Sequence, residues 1–180
     1  VNSHNWFGAI ANLKTELAEN LTLDVGFDSR FYKGLHYRNV RDLLGSDGYR
    51  DSRYNGAPNT SGVVAATKEY QWPIGDVWNV FGDTDAEEKI DRNNNGVIDY
   101  FGLYFQLEYL MDDISIFVQG SGSNKGFQRE EFYLYANGDP LQYSDKVNVA
   151  GGTIKAGANW NIDAPNNLFA NAGYFSKQPN

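Results

Sequence analysis

The sequence contains no cysteine, one methionine and two histidines among its 180 residues. The lack of cysteine excludes disulfides, thiolate zinc sites and cysteine nucleophiles, and two histidines argue against a multi-histidine metal centre. No stretch approaches the roughly 18 consecutive apolar residues of a transmembrane helix. The excess of acidic residues gives a net charge of -8. This charge argues against a general nucleic-acid-binding protein, which needs a basic surface to meet phosphates.

Aromatic residues are plentiful, at 15% of the chain, and many lie in runs that alternate between apolar and polar positions. An alternation with a period of two residues predicts strands. The chain begins at Val1, without methionine or a signal peptide, and we therefore expect a processed or truncated product. Six strands are predicted, at residues 6–17, 21–38, 98–110, 114–124, 147–162 and 167–176. Short turns join them into three hairpins, so the predicted fold class is all-β, with antiparallel up-and-down hairpins.

The connections between the hairpins are much longer than the turns within them. They span residues 39–97 and 125–146, and loops of this length in compact domains usually carry function. Short turns on one side and long loops on the other are typical of outer-membrane barrels. The pattern therefore predicts about six long strands from a larger transmembrane β-barrel.

The two faces of the predicted strands differ in composition. One face carries Ala, Gly and aromatic residues, which suit contact with lipid. The other face is polar, and seven of its side chains are predicted to face the lumen of the barrel: Lys14, Glu16, Asp24, Asp28, Arg30, His36 and Arg38. For each of them alone, the simpler interpretation is charge pairing across strands.

A soluble β-sandwich, with the polar face in water, is the alternative architecture. The predicted strands run about ten residues or more, against the usual five or six in globular sheets, and about ten tilted residues cross a bilayer. The small residues of the apolar face would also pack a sandwich core poorly. These features favour the membrane barrel.

Four strings of the sequence resemble barrel segments of TonB-dependent outer-membrane receptors. They are His4-Asn5-Trp6-Phe7-Gly8, residues 28–38 (DSRFYKGLHYR), Asp42-Leu43-Leu44-Gly45 and residues 169–179 (FANAGYFSKQP). The last string contains the pattern F-x-N-x-G-Y-x-S, a common sequence motif of barrel strands in the family. The resemblance covers both ends of the chain and much between, and it leaves out most of the long loops, especially residues 46–90.

The resemblance implies a location and a set of partners. Members of the family are barrels of about 22 strands that enclose a plug and take up scarce ligands with energy relayed by the TonB complex. It therefore implies the outer membrane of a Gram-negative bacterium. The implied partners are outer-membrane lipid, a plug, further barrel strands, the TonB complex and a small ligand, and no nucleic acid.

Six strands are fewer than the eight or so of the smallest membrane barrels, and alone they leave two open edges that lipid cannot satisfy. We therefore expect three consecutive hairpins of a larger receptor, without its plug domain. The alternative function is that of a secreted β-sandwich binding module which presents aromatic loops to a glycan.

One segment resembles part of a calcium-binding loop. Asp91, Asn93, Asn95 and Asp99 take its first, third, fifth and ninth positions, with Gly96 at the sixth. The twelfth position, where calcium needs a bidentate Glu, is a glycine. The alternative is an Asn-Gly turn that ends a loop and begins a strand, and the missing carboxylate favours it. The segment is thus a weak calcium candidate, and no other cofactor is predicted.

The long loops carry aromatic residues among acidic and amide residues. Those of 46–90 are Tyr49, Tyr54, Tyr70, Trp72, Trp78 and Phe81, and those of the second loop include Phe127, Phe132 and Tyr133. They suit binding of a sugar, peptide or chelate, and they suit equally well the packing of a loop against its own barrel. Phosphate-binding and nucleotide-binding motifs are absent, and we predict that the protein is not an enzyme.

Overall fold

The computed structural model describes residues 2–51, 64–66, 69 and 88–178. In these residues the chain is all-β, with one antiparallel sheet of six long strands connected as hairpins. This confirms the predicted fold class. No helix in the described part of the chain is long and apolar enough to cross a membrane.

Eight strands make up the described part of the fold. In chain order they are β1 (Asn2–Ala18), β2 (Leu21–Asn39), β3 (Tyr49–Asp51), β4 (Val64–Ala66), β5 (Lys89–Met111), β6 (Ile114–Glu131), β7 (Val147–Asp163) and β8 (Asn166–Ser176). The order in the large sheet is β1-β2-β5-β6-β7-β8, while β3 and β4 pair antiparallel in a separate ribbon. Strands β1 and β8 are therefore the two edges of the large sheet.

The hairpin turns follow from their residues. Asn20, between β1 and β2, takes a φ of 69°, a left-handed conformation that asparagine tolerates better than most residues. Between β7 and β8, Asp163 Oδ1 accepts hydrogen bonds from the backbone N of Asn166 at 3.0 Å and from its Nδ2 at 2.7 Å. These side chains explain why the chain reverses at the predicted places.

The register of β7 and β8 pairs their apolar side chains with one another. The pairs are Ile154 with Tyr174, Ala156 with Ala172, Ala158 with Ala170, and Trp160 with Leu168. Because a slip of one residue would move every side chain of a strand to the other face, this register keeps one face apolar and leaves the opposite face to the polar residues between them.

The strands next to the long connections extend further than predicted. Strand β5 begins at Lys89 and β6 continues to Glu131, so the prediction of loop is wrong for residues 89–97 and 125–131. These segments are polar and lack the apolar alternation that marks a strand. Hydrogen bonds to neighbouring segments stabilise them instead; for example, Phe132 N donates to Asn93 O at 2.9 Å.

The chain divides into two compact units. We call residues 8–31, 99–126 and 148–180 the turn unit, because they include the three short turns, and residues 1–7, 32–98 and 127–147 the loop unit. The buried hydrophobic side chains of the described residues are Leu35, Tyr37, Val40 and Tyr133. All four belong to the loop unit.

Candidate functional site on the polar face

On β7, and in part on β6, the apolar side chains of the turn unit are more exposed than the residues between them. On β7, the alternate residues Ile154, Ala156, Ala158 and Trp160 are exposed, while Thr153, Lys155, Gly157 and Asn159 between them are half-buried. On β6, Ile116 is 41% exposed, whereas the neighbouring Ser115 and Phe117 are half-buried. This pattern is the reverse of that in a water-soluble sheet, where apolar residues are the buried ones.

We call this exposed side of the turn unit the apolar face and the opposite side the polar face. The large side chains of the apolar face, such as Phe101, Leu103 and Trp160, are about half exposed among the described residues. This face contains a groove of about 980 Å³ whose lining includes Phe27, Phe101, Phe105, Gly120 and Gly122. A continuous exposed apolar surface marks a site of contact with protein or membrane.

The polar face of the turn unit is lined by charged and aromatic side chains that contact one another. Arg30 donates to both carboxylate oxygens of Asp28, at 3.0 Å from Nε and 2.5 Å from Nη2. The Arg30 guanidinium lies 5.8 Å from the ring centroid of Tyr100 on β5, and Lys155 Nζ lies 5.4 Å from that of Phe117. Asp28 and Arg30 therefore pair with each other along one strand, and not across strands as predicted.

Three further predicted lumen residues lie at the same parity of β1 and β2. Lys14 and Glu16 lie on the edge strand β1, and Asp24 is half-buried on β2. Asp24 Oδ1 is buried and has no hydrogen-bond partner among the described residues. An unsatisfied buried carboxylate oxygen is costly, so this oxygen can accept a further hydrogen bond.

The last two predicted lumen residues, His36 and Arg38, belong to the loop unit. Arg38 Nη1 donates to Asp91 Oδ2 at 2.8 Å, and the positive φ of Asp91, 65°, marks an irregularity in β5 at this point. His36 Nδ1 lies 2.9 Å from Asn2 Oδ1 on β1. Burial, the nearby guanidinium of Arg92 and His4 lower the pKa of His36 below its usual value, which favours the neutral imidazole.

Next to His36, the structure assembles a cluster that the sequence analysis did not identify. His4 Nδ1 lies 2.6 Å from Tyr32 Oη, and the two rings stack with centroids 5.7 Å apart. Trp6, which is 66% exposed, packs on Tyr32 at 4.9 Å between ring centroids. When β1 and β2 are paired outward from the turn at Asn20, residue 4 lies opposite residue 34 or 35. This hairpin register could have predicted the cluster from the sequence.

The calcium candidates are placed in a strand and not in a loop. Asp91, Asn93, Asn95 and Asp99 all lie within β5, where same-face residues are spaced by about 7 Å and do not surround a point. Asn93 and Asn95 are buried, and Asp91 pairs with Arg38. Both the calcium loop and the Asn-Gly turn are therefore wrong as local structures. The described residues contain no group of three or more acidic or histidine side chains arranged to hold a metal.

Asn95 takes part in a polar network between strands. Glu130 Oε2 on β6 accepts from Asn95 Nδ2 at 2.8 Å and pairs with Lys33 Nζ at 2.7 Å. The Glu130 side chain is 14% exposed and that of Lys33 is 41% exposed. The network links β2, β5 and β6 in the loop unit, where apolar alternation is missing.

Glu130→Ala should lower the free energy of unfolding by about 1–2 kcal/mol, because it leaves the buried Asn95 amide without its acceptor. Glu130→Gln is the matched control. It retains an acceptor for Asn95 and loses mainly the exposed ion pair with Lys33, which is worth about 0–1 kcal/mol. Urea denaturation of the three proteins measures the difference, and equal losses in both variants would contradict the role given to Asn95.

The aromatic residues of the second predicted loop pack within the loop unit. Phe127 lies in β6, Tyr133 is 5% exposed, and Phe132 meets Tyr143 edge to face at 6.0 Å. Their structural interpretation is therefore favoured. In the first loop, Tyr49 lies in β3, while Tyr54, Tyr70, Trp72, Trp78 and Phe81 lie outside the described residues.

The polar face of the turn unit carries the Asp28–Arg30 pair, aromatic rings and one carboxylate oxygen of Asp24 without a partner among the described residues, opposite an exposed apolar face. Such a surface suits the binding and passage of polar ligands; in the described residues we find no acid–base or nucleophilic arrangement in it. A scan against family models, a search of curated proteins and a search of solved structures each found no match to this chain.

Proposed function

We propose that this chain is a barrel segment of a TonB-dependent outer-membrane receptor that takes up a scarce ligand. The observation that carries the proposal is the reversed exposure in the turn unit. Alanine, isoleucine and tryptophan side chains are exposed, and the polar side chains between them are less exposed. Lipid outside and a polar interior account for this reversal.

The strand lengths of the turn unit fit the same proposal. Each of its strand segments runs for about ten residues or more, which is the length a tilted strand needs to cross the hydrocarbon core of a bilayer. Tyr109 and Trp160, next to the short turns, are 42% and 49% exposed. Exposed aromatic residues at strand ends match the girdles at the two membrane interfaces.

The open edges of the sheet support a larger barrel. Strand β1 at one edge is 17 residues long and β8 at the other is 11, and among the described residues neither pairs with a further strand on its outer side. Unpaired backbone groups are not tolerated in lipid. We propose that further strands of the parent protein complete the barrel and that a plug or water meets Asp24.

The finer part of the proposal, TonB-dependent uptake, is supported by the four resembling strings. The string from Phe169 to Ser176 lies entirely within β8, as is expected for a sequence motif of a barrel strand. The identity of the ligand depends on the loops and the plug. A glycan-binding β-sandwich finds no comparable support, since the large side chains of the apolar face are about half exposed among the described residues.

Alternating cysteines on β7 test the proposal, because the chain has no cysteine of its own. The full-length protein is expressed with Ala156→Cys, Ala158→Cys, Thr153→Cys or Asn159→Cys, and isolated membranes are treated with a polar maleimide. We expect residues 153 and 159 to react at least tenfold faster than 156 and 158, because lipid protects the apolar face. All four thiols should react freely after urea denaturation.

Two results would overturn the proposal. If residues 156 and 158 react as fast as 153 and 159 in intact membranes, the apolar face is in water. If they are protected but the protein leaves the membrane in a carbonate wash, protein covers this face, and a soluble sandwich replaces the barrel.

A further inference from the structure

We propose that Tyr32 and His36, with His4 beside them, form a binding site for a divalent transition-metal ion, of which Cu²⁺ is bound most tightly. The inference goes beyond ligand uptake and does not depend on it, since all three residues lie in the loop unit. The chain has only two histidines, and the fold brings them to 6.4 Å between ring centroids.

The phenol of Tyr32 is the centre of the site. His4 Nδ1 lies 2.6 Å from Tyr32 Oη, and in the tautomer of His4 whose Nδ1 carries no hydrogen the phenol donates to it. When a metal ion binds the phenol oxygen, the phenol proton passes to His4 Nδ1, and the products are a metal-bound phenolate and an imidazolium. The proton is thus accounted for within the cluster.

His36 is oriented as a metal ligand by its other nitrogen. Nδ1 of His36 lies 2.9 Å from Asn2 Oδ1, and an amide oxygen can only accept, so Nδ1 carries the hydrogen and Nε2 has the free lone pair. Metal-binding histidines in proteins commonly donate their second ring N–H to a carbonyl or carboxylate in this way.

Both donor atoms border the space beside Gly34. A Cβ at this position would lie 2.6 Å from Tyr32 Oη and 3.2 Å from His36 Nε2. Both atoms therefore point over the same glycine, which is buried. Any side chain at residue 34 would occupy the position between the phenol and the imidazole.

The donor set selects the class of metal. Imidazole nitrogen suits zinc, copper, iron and nickel, whereas calcium and magnesium prefer oxygen ligands alone. Within the divalent series, affinity for such a site peaks at Cu²⁺. The guanidinium of Arg92, which lowers the pKa of His36, also repels a dication, and we therefore expect a modest affinity and a coordination sphere completed by water.

The test is a Cu²⁺ titration of the full-length protein, purified in detergent in a non-chelating buffer, followed by electron paramagnetic resonance and calorimetry. We expect His36→Gln and Gly34→Ala each to weaken binding at this site by at least tenfold, the first by removing a ligand and the second by filling the space. Tyr32→Phe should do the same without changing the nitrogen ligand.

Two asparagines on β1 test whether Asn2 orients the His36 ring or only stabilises the strand. Asn2→Ala removes the partner of His36 Nδ1 and should weaken Cu²⁺ binding about 10–100-fold. Asn12→Ala, at the same parity of the strand but in the turn unit, should change it less than twofold. Far-ultraviolet circular dichroism of each variant checks that the sheet is retained.

Two results would overturn the inference. One is the absence of a bound Cu²⁺ with nitrogen ligation in the wild-type protein at micromolar concentrations. The other is binding that is unchanged in His36→Gln and Gly34→Ala, which would place the ion elsewhere. Neither result bears on the cysteine-labelling test, so the two proposals fail independently.

Discussion

If the proposed membrane barrel is correct, replacing Ala158 with arginine is expected to destabilise the protein in lipid by about 2–4 kcal/mol. Ala158 is exposed on the apolar face of β7 and lies opposite Ala170 of β8. In a water-soluble protein, an exposed alanine with a small neighbour tolerates arginine at a cost within about 0.5 kcal/mol. In lipid, the same guanidinium loses its hydration, and the cost rises with depth in the bilayer.

The control for this substitution is the next residue along the strand. Asn159 is half-buried on the polar face, and Asn159→Arg should be nearly neutral because its side chain meets a polar interior. Urea titration of both variants in lipid vesicles gives the two free energies of unfolding. If Ala158→Arg is as mild as Asn159→Arg, the apolar face does not contact lipid.

Gly157→Val should destabilise the protein by about 1–3 kcal/mol through overpacking. A Cβ at this position would lie 2.5 Å from Phe117 Cε1 and 2.9 Å from Asn171 Cβ. The Phe117 ring, over which Lys155 also lies, has to move, but Asn171 Cβ is fixed by the backbone of β8. The polar face therefore has no room for a larger residue between these two neighbours.

Ala158→Val is the matched control, since it adds methyl groups at an exposed position of the same strand. It should cost less than about 0.5 kcal/mol, and β-branched residues are in general favoured in strands. The same urea titration measures both variants. Equal free energies for Gly157→Val and Ala158→Val would mean that Phe117 and Asn171 do not define a packed polar face.

The alternating pattern of the sequence determined the hairpins and their faces. In β7 and β8, apolar residues at every second position predict both strands and the pairing of their apolar sets, and the register from Ile154–Tyr174 to Trp160–Leu168 confirms that pairing. Such segments are predictable because the side-chain period of a strand is fixed by backbone geometry and the turn fixes the register.

Only the tertiary structure decided the polar ends of the strands and the cluster around Tyr32. Residues 89–97 and 125–131 have no apolar alternation, and they form strands because neighbouring strands supply hydrogen-bond partners. Glu130, for example, accepts a hydrogen bond from Asn95, which lies 35 residues away in the sequence. The hairpin register brings His4 near residues 34 and 35, but only the structure shows that the His4 ring stacks on Tyr32 and meets His36 edge to face. Contacts between distant residues depend on strand pairing and packing, which local periodicity does not specify.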